Sequence, residues 1–195
     1  PCKQGLGDAY RAGFRAARAR GSAVVGQMDC DFSHDPAALP EMAAALDRCD
    51  VVVGSRYVAG GGLDRRWEAG RRLLSRWGTF YSRLILGLRM RDATAGFKLW
   101  RRETLRGLGL ERVHSNGYVF QVEMAYLAQR LGYRSCEVPI HFEDRRIGRS
   151  KMSMDIKLEA AWRVWHVWAL HHRLGPADRL RADRAAIPPR ERSAC

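Results

Sequence analysis

Residues 24–36, VVGQMDCDFSHDP, place three acidic residues directly behind an apolar run. The beginning of this stretch has the composition of a short buried strand. Asp29 and Asp31 follow it with one residue between them, so both carboxylates are expected on the same side of the chain. Asp35 before Pro36 is typical of a helix start, with Asp35 as the N-cap. The stretch therefore predicts a strand, an acidic turn and a helix.

The flanking sequence supplies the partners of this unit. Residues 5–21, GLGDAYRAGFRAARARG, have apolar residues at helical spacing, and residues 50–58, DVVVGSRYV, predict a second buried strand. A strand, a helix and a strand in this order indicate a parallel pair with a crossover helix, and hence an α/β fold. Further helices are predicted at 71–88, 117–133 and 154–172, and a strand at 134–144, while 91–108 predicts a loop, a strand and a short helix.

Length, charge and cysteine content limit the class of protein. The 195 residues are enough for one domain with a real core, and no apolar run reaches the length of a spanning helix. The net charge of +13 favours an anionic partner, although Arg-rich segments are also typical of GC-rich coding sequences. Five cysteines without a Cys-x-x-Cys pair argue against a disulfide framework or a metal finger, and they favour a reducing compartment.

Asp29 and Asp31 allow two interpretations. At the carboxyl end of a parallel strand, where open α/β sheets bind ligands, two carboxylates suit Mg²⁺ or Mn²⁺ bridging a diphosphate. The alternative is a capping cluster of solvated acids, and spacing alone does not separate the two. His34 is expected to be a loop or capping residue rather than a metal ligand.

Basic residues gather at three other places. Arg56 follows the second strand, Arg71, Arg72 and Arg76 lie at the start of the helix 71–88, and residues 145–151 contain three arginines and a lysine. Such groups either converge on a phosphate, which Arg binds bidentately, or are simply solvated.

The helix containing Trp162, Trp165 and Trp168 also has two interpretations. Trp at every third residue beside basic residues is typical of a helix lying on a membrane surface. A helix packed on the domain is the alternative.

Eight segments, in order, resemble the polyprenyl (dolichyl) phosphate mannose synthases of the GT-A fold, family 2 glycosyltransferases. They are GLGDAYRAGF, MDCDFSHDPAALP, VVVGSRYVAGG, RRLLSRWGTFYSRLILGL, RDATAGFKLWRRETL, GYVFQVEM, EVPIHF and DRRIGRSKMS. The resemblance covers about residues 5–170. It implies a Rossmann-like three-layer sandwich with a mostly parallel sheet, formed by residues 1–174, and we expect residues 175–195 to be a disordered Arg/Pro-rich tail.

The resemblance also implies an activity, which is inverting transfer of mannose from GDP-mannose to a polyprenyl or dolichyl phosphate with Mg²⁺ or Mn²⁺. The catalytic set is then Asp29, Asp31 and Arg145, with both aspartates as metal ligands and Asp31 the more direct one. Ser33 occupies a position where related enzymes often carry Gln as a further metal contact. The acceptor phosphate is expected at Arg56, Arg71, Ser75 and Lys151, and the sugar near Asp92, Gln121 and Glu123. Glu123 is not assigned as an essential base.

Members of this family begin with a strand and a loop for the guanine nucleotide, and nothing similar precedes Gly5. We therefore expect the first strand to be missing and the chain alone to be inactive or weak. The expected location is the cytoplasmic face of the membrane, contacted through the helix 155–172, and a membrane-anchoring partner protein is left open. Alternatives are a polyprenyl-phosphate glucosyltransferase using UDP-glucose and an inactive membrane-associated fragment. A nucleic-acid partner is not expected, because no reading helix or aromatic sheet face is recognised.

Overall fold

The computed structural model describes residues 5–64, 69–143 and 154–180, and it leaves the side chains of Ala69, Arg71 and residues 154–160 undescribed. The α-helices are α1 Leu6–Ala19, α2 Leu39–Ala45, α3 Ala69–Leu86, α4 Arg102–Leu108, α5 Val119–Arg130 and α6 Met154–His171. The strands are β1 Val24–Gln27, β2 Val51–Ser55, β3 Gly62–Leu63, β4 Lys98–Arg101, β5 Ser135–Pro139 and β6 His141–Phe142. Short 3₁₀ helices span Pro36–Ala38, Leu110–Arg112 and Pro176–Asp178.

The main sheet has four strands in the order β1-β4-β2-β5. β2 and β5 pair in parallel, whereas β4 is antiparallel to both β1 and β2. β1, β2 and β5 therefore run in the same direction, and their carboxyl ends lie at the same end of the sheet. The predicted parallel pairing of β1 with β2 is wrong, because β4 lies between them and bonds to both. β3 and β6 form a separate parallel pair.

Helices cover both faces of the sheet, which confirms the predicted three-layer α/β fold. On one face α5, buried along almost its whole length, packs with Trp100, Phe14 of α1 and Val164 and Val167 of α6. On the other face Met42 of α2 packs against β2, β4 and β5. The N-cap predicted for the 3₁₀ turn before α2 is confirmed, since the Asp35 side chain accepts a hydrogen bond from the Ala37 amide at 2.9 Å.

The apolar residues of α3 divide between core and surface. Tyr81 and Ile85 pack against the core, and Tyr81 contacts α6 through a hydrogen bond to the Ala161 carbonyl at 3.2 Å. Four others are exposed and lie close to one another along the helix: Leu73, Trp77, Phe80 and Leu84. This exposed row is named the α3 apolar stripe.

The cysteine prediction is wrong in one respect. Cys49 and Cys136 form a disulfide with a Cα to Cα distance of 5.9 Å. Cys49 lies just before β2 and Cys136 lies on β5, and these two strands are hydrogen-bonded neighbours. The odd cysteine count excludes complete pairing but not a single pair brought together by the sheet. The argument for a reducing compartment therefore loses its basis.

The predicted start of a disordered tail at Gly175 also needs correction. Residues 175–180 pack on the domain, because the Arg179 guanidinium lies 4.2 Å from the Tyr133 ring centre and donates to the Leu131 carbonyl. The Leu180 amide donates to the Gly107 carbonyl at 3.0 Å. Residues 181–195 lie outside the described part.

Candidate active site

The acidic turn after β1 is held by its own side chains. Asp31 Oδ1 accepts hydrogen bonds from the Ser33 amide at 3.2 Å and from the Ser33 hydroxyl at 2.5 Å. Phe32 has a φ of 64°, so the chain reverses at this residue. Ser33, at the position where related enzymes often carry Gln, therefore supports Asp31 from within the turn.

Asp29 is held by two other segments, at Tyr10 and Gly96, and by His34 of its own turn. The Tyr10 hydroxyl of α1 donates to Asp29 Oδ1 at 3.4 Å, and the Asp29 amide donates to Nδ1 of His34 at 3.2 Å. The Asp29 carboxylate also lies directly against Gly96, where an added Cβ would stand 2.9 Å from Oδ2. A side chain at position 96 would therefore displace the Asp29 carboxylate, and Gly96 leaves room for it.

His34 is a buried loop residue, as predicted. Its ring lies between Phe97 and Phe142. Burial lowers the pKa of His34, although the negative charge of Asp29 opposes this shift. Because Nδ1 accepts the Asp29 amide, the neutral ring carries its proton on Nε2.

The donor set at this turn fits a hard divalent cation. Within the described residues no group of three or more His, Cys, Asp or Glu side chains could hold a metal ion. Two half-exposed carboxylates on one turn nevertheless match Mg²⁺ or Mn²⁺, which complete their shells with water and substrate phosphate oxygens.

Arg56 and Asp92 form a bidentate ion pair at the carboxyl end of β2. Arg56 Nε donates to Asp92 Oδ2 and Arg56 Nη2 to Oδ1, both at 2.7 Å, and the Arg56 amide donates to Oδ2 at 3.0 Å. Thr94 accepts from Arg56 Nη2 at 2.8 Å. Burial would raise the pKa of Asp92, but the charge and hydrogen bonds of Arg56 outweigh it, so this pKa is lowered. For Arg56, burial would lower the pKa, and Asp92 outweighs it and raises the pKa.

The acidic turn and this ion pair meet around one residue. His34 belongs to the acidic turn, since its Nδ1 accepts the Asp29 amide at 3.2 Å. The Phe142 ring connects the two groups physically, since it contacts the His34 ring and lies 5.4 Å from the Arg56 guanidinium carbon. The acidic turn and Arg56 thus lie at the same end of the sheet, and the convergence of the basic groups on a phosphate stays a prediction.

The remaining predicted acceptor residues are described only in part. The Ser75 hydroxyl is 2.7 Å from the Tyr57 hydroxyl, next to Arg56. The side chain of Arg71 is not described, and Arg145 and Lys151 lie outside the described residues. Two guanidinium nitrogens of Arg56, Nε and Nη2, donate hydrogen bonds to Asp92 and Thr94.

Gln121 belongs to a buried polar network below the acidic turn. Its Oε1 accepts from Gln27 Nε2 at 2.7 Å and from Lys98 Nζ at 3.0 Å. Lys98 is fully buried, donates also to the Gln121 carbonyl at 3.1 Å, and makes no ion pair with an acid in the described part. Burial lowers the pKa of Lys98 to about 7. The network places Gln121 under the turn through Gln27, the last residue of β1.

Glu123 has a structural environment that the sequence interpretation missed. Its carboxylate accepts from the Ser115 amide at 2.6 Å and the His114 amide at 3.1 Å, and it lies 2.8 Å from His171 Nε2. Burial would raise the pKa of Glu123, but these hydrogen bonds, led by that of His171, lower it. Glu123 thus joins α5 to α6, and its described contacts give no support to the predicted position near the sugar.

Two further residues were not singled out from the sequence. Glu137 of β5 accepts from the Asp92 amide at 2.9 Å and the Ser55 hydroxyl at 2.7 Å, so it holds the Asp92 loop against β2. Lys98 fixes the same loop from below, 3.5 Å from the Ala93 carbonyl. A charged residue inside an apolar strand segment is the signal that could have identified both.

Comparison with known proteins gives a consistent result. The profile of glycosyl transferase family 2 matches residues 1–109. The chain is 45% identical over 168 residues to an undecaprenyl-phosphate mannosyltransferase of Micrococcus luteus, covering 86% of this chain and 68% of the relative. It is 42% identical over 176 residues to a polyprenol monophosphomannose synthase of Mycolicibacterium smegmatis, covering 90% and 66%.

Solved structures give the same fold at lower identity. Glucosyl-3-phosphoglycerate synthase from Mycobacterium tuberculosis, in complex with Mg²⁺ and uridine diphosphate, superposes with a TM-score of 0.56 and 18% identity. The match covers 88% of this chain and 56% of the synthase. The chain thus spans about two thirds of the curated relatives and just over half of the solved structure.

Proposed function

Because the chain belongs to glycosyl transferase family 2, we propose that it is the core of a mannosyltransferase that moves mannose from GDP-mannose to a polyprenyl phosphate. The observation that carries the proposal is the position of the Asp29–Asp31 turn and of the Arg56–Asp92 ion pair at the same end of the sheet, with the Phe142 ring between His34 and Arg56. The names of the two curated relatives supply the sugar and the class of acceptor.

The acceptor chemistry fits the residues at this end. A phosphate monoester has its second pKa near 6, so the acceptor is mainly a dianion at neutral pH and needs no general base. It needs a cationic surface that orients it, and attack from the face opposite the leaving nucleotide inverts the configuration of the sugar. Arg56, held in place by its ion pair with Asp92, forms part of that surface. As part of the proposal, we assign Arg71, Ser75, Arg145 and Lys151 to the acceptor phosphate.

Asp29 and Asp31 provide the donor side. A bound Mg²⁺ or Mn²⁺ would neutralise the charge that develops on the departing nucleotide diphosphate. The chain itself orients the two carboxylates. Ser33 donates a hydrogen bond to Asp31, while Tyr10 donates to Asp29 and Gly96 lies against it.

Membrane association belongs to the same proposal. None of the described helices is both long and apolar enough to span a bilayer. Trp162, Trp165 and Trp168 of α6 are exposed, and Trp162 is 74% exposed. α6 packs beside α3, the helix that carries the exposed α3 apolar stripe. We propose that this pair of helices rests on the inner face of the membrane, where a lipid-borne phosphate can reach Arg56, with or without an anchoring partner protein.

A donor panel tests the proposed function. Radiolabelled GDP-mannose and UDP-glucose are each incubated with undecaprenyl phosphate and Mg²⁺, and label is counted in the lipid extract. Two proteins are used: the 195-residue chain, and the same chain joined to the N-terminal segment of the Micrococcus luteus relative, because the chain spans only about two thirds of that relative. Transfer from GDP-mannose by the joined form is the expected result. Transfer from UDP-glucose alone would favour the glucosyltransferase, and no transfer from either donor would reject both.

A further inference from the structure

A cavity of about 390 Å³ lies between the turn after β2, the middle of α3 and Arg91. Among the described residues, its lining has no acidic residue and includes four arginines: Arg56, Arg76, Arg83 and Arg91. These residues with Thr79 and Phe80 are named the arginine pocket. It shares only Arg56 with the acceptor residues predicted from the sequence. Arg76 belongs to a basic group noted in the sequence, and Arg83 and Arg91 have no assigned role.

Acidic side chains of the described residues balance only one of these four charges. Arg56 is neutralised by Asp92, with which it forms the ion pair at 2.7 Å. In the described part of the chain, Arg76, Arg83 and Arg91 form no ion pair with an acidic side chain. Three positive charges around one small cavity repel one another, and a bound anion relieves that repulsion.

The surroundings indicate what kind of anion fits. Phe80 lines the pocket and is 61% exposed, and it belongs to the α3 apolar stripe that continues along the helix to Leu73 and Leu84. An anion with a hydrocarbon chain attached could place its charged group in the pocket and its chain along the stripe. A nucleotide or free phosphate would leave the stripe in water, which is unfavourable for so much apolar surface.

We propose that the arginine pocket binds the phosphate group of a membrane lipid through Arg76, Arg83 and Arg91. Two sources share this chemistry, which are the phosphate monoester of the acceptor and the phosphodiester of an anionic phospholipid. The inference rests on the membrane position given in the proposed function, and it adds a binding site to it. Guanidinium groups suit either source, because they donate in pairs to phosphate oxygens.

The test is vesicle binding, without sugar nucleotide and without measuring transfer. The 195-residue chain is floated with vesicles of phosphatidylcholine alone, with 20 mol% phosphatidylglycerol, or with 2 mol% undecaprenyl phosphate. The variant is Arg76→Gln/Arg83→Gln/Arg91→Gln. The control, Arg15→Gln/Arg20→Gln/Arg48→Gln, removes the same charge from three exposed arginines elsewhere. At about 1 kcal/mol for each basic residue at an anionic surface, the pocket variant should lose on the order of 100-fold in affinity.

The outcomes separate the two lipids and the alternatives. A loss confined to undecaprenyl phosphate vesicles identifies the acceptor, and a loss confined to phosphatidylglycerol vesicles identifies the phospholipid; either supports the pocket. Equal losses in the pocket and control variants would show that only net charge matters and would overturn the proposal. So would unchanged binding, or no binding by the wild type.

A second variant guards against a folding defect. Arg83 is half-buried and its Nε lies 3.5 Å from the Leu88 carbonyl, so its replacement could disturb the end of α3. Arg76→Gln/Arg91→Gln changes only exposed side chains and should lose about tenfold or more. Because no step of this assay depends on transfer, failure of the pocket and failure of the proposed mannosyltransferase are distinguishable.

Discussion

Replacing Asp92 with Asn removes the only acidic partner that the described residues give Arg56, and its effect can be worked out from the structure. The side chain of Asp92 is fully buried and that of Arg56 is 10% exposed, so little water can replace the lost carboxylate. Removing one partner of a buried ion pair leaves the other charge uncompensated and costs about 3–5 kcal/mol of unfolding free energy. The amide of Asn would also turn a donor towards a guanidinium that has only donors.

The measurement is urea unfolding followed by circular dichroism, for the wild type, Asp92→Asn, Arg56→Met and the double variant. The double variant should recover about 1–3 kcal/mol relative to the sum of the single losses, since it buries no unpaired charge. Asp47→Asn is the control, because Asp47 is exposed and its change should stay within about 0.5 kcal/mol. A loss below about 1 kcal/mol in Asp92→Asn, or strictly additive losses, would refute the reasoning.

The pH dependence of the same variants tests whether ionised Asp92 stabilises the fold. The pKa of Asp92 is lower in the folded protein than in the unfolded chain, so the unfolded chain binds its proton first as the pH falls. The stabilisation is therefore fully present above about pH 5 and is lost as the pH falls through about 4 and below. The stability difference between wild type and Asp92→Asn should shrink over that range.

Three further predictions concern groups away from this pair. The Cys49–Cys136 disulfide closes a segment of 87 residues, so its reduction should lower the unfolding free energy by up to about 4–5 kcal/mol. Urea titrations with and without dithiothreitol measure this, and an unchanged midpoint would contradict it. Because the pKa of Lys98 is about 7 in the fold and 10.5 unfolded, the stability of the wild type relative to Lys98→Met should rise between pH 7 and 10.5; a flat difference would count against a buried, titrating lysine. Glu123→Gln should cost about 1–3 kcal/mol in thermal unfolding, because the amides of His114 and Ser115 and the ring of His171 lose a charged acceptor. A neutral change would show that these contacts contribute nothing.

Much of the fold could be predicted because its signals are local. The start of the helical segment at Asp35 follows from a capping side chain and a proline, and β2 follows from an apolar run bounded by polar residues. The place of β4 between β1 and β2 could not be predicted in this way, since that pairing joins residues far apart in sequence. The disulfide follows from the same long-range pairing.

The site was predictable in type more than in detail. Residue chemistry and position after strands identified Asp29, Asp31 and Arg56, and the structure brings them to one end of the sheet. Which partner each charge takes could not be derived, because Asp92 meets Arg56 and Glu123 meets His171 only through tertiary packing. Periodicity likewise predicted the helix at 71–88 but could not show which apolar residues of α3 face solvent.

The most direct test of the central claim is the transfer of mannose by Asp31→Asn compared with the wild type, both in the form joined to the N-terminal segment. Transfer of label from GDP-mannose to undecaprenyl phosphate is followed with Mg²⁺ and with chelator, and Asp35→Asn is the matched control, because Asp35 caps a helix in the same loop. The account predicts transfer that requires Mg²⁺ or Mn²⁺ and falls on the order of 100-fold or more in Asp31→Asn, as expected when charge stabilisation in the transition state is lost, with Asp35→Asn close to wild type. Undiminished transfer by Asp31→Asn, or transfer that persists in chelator, would contradict it.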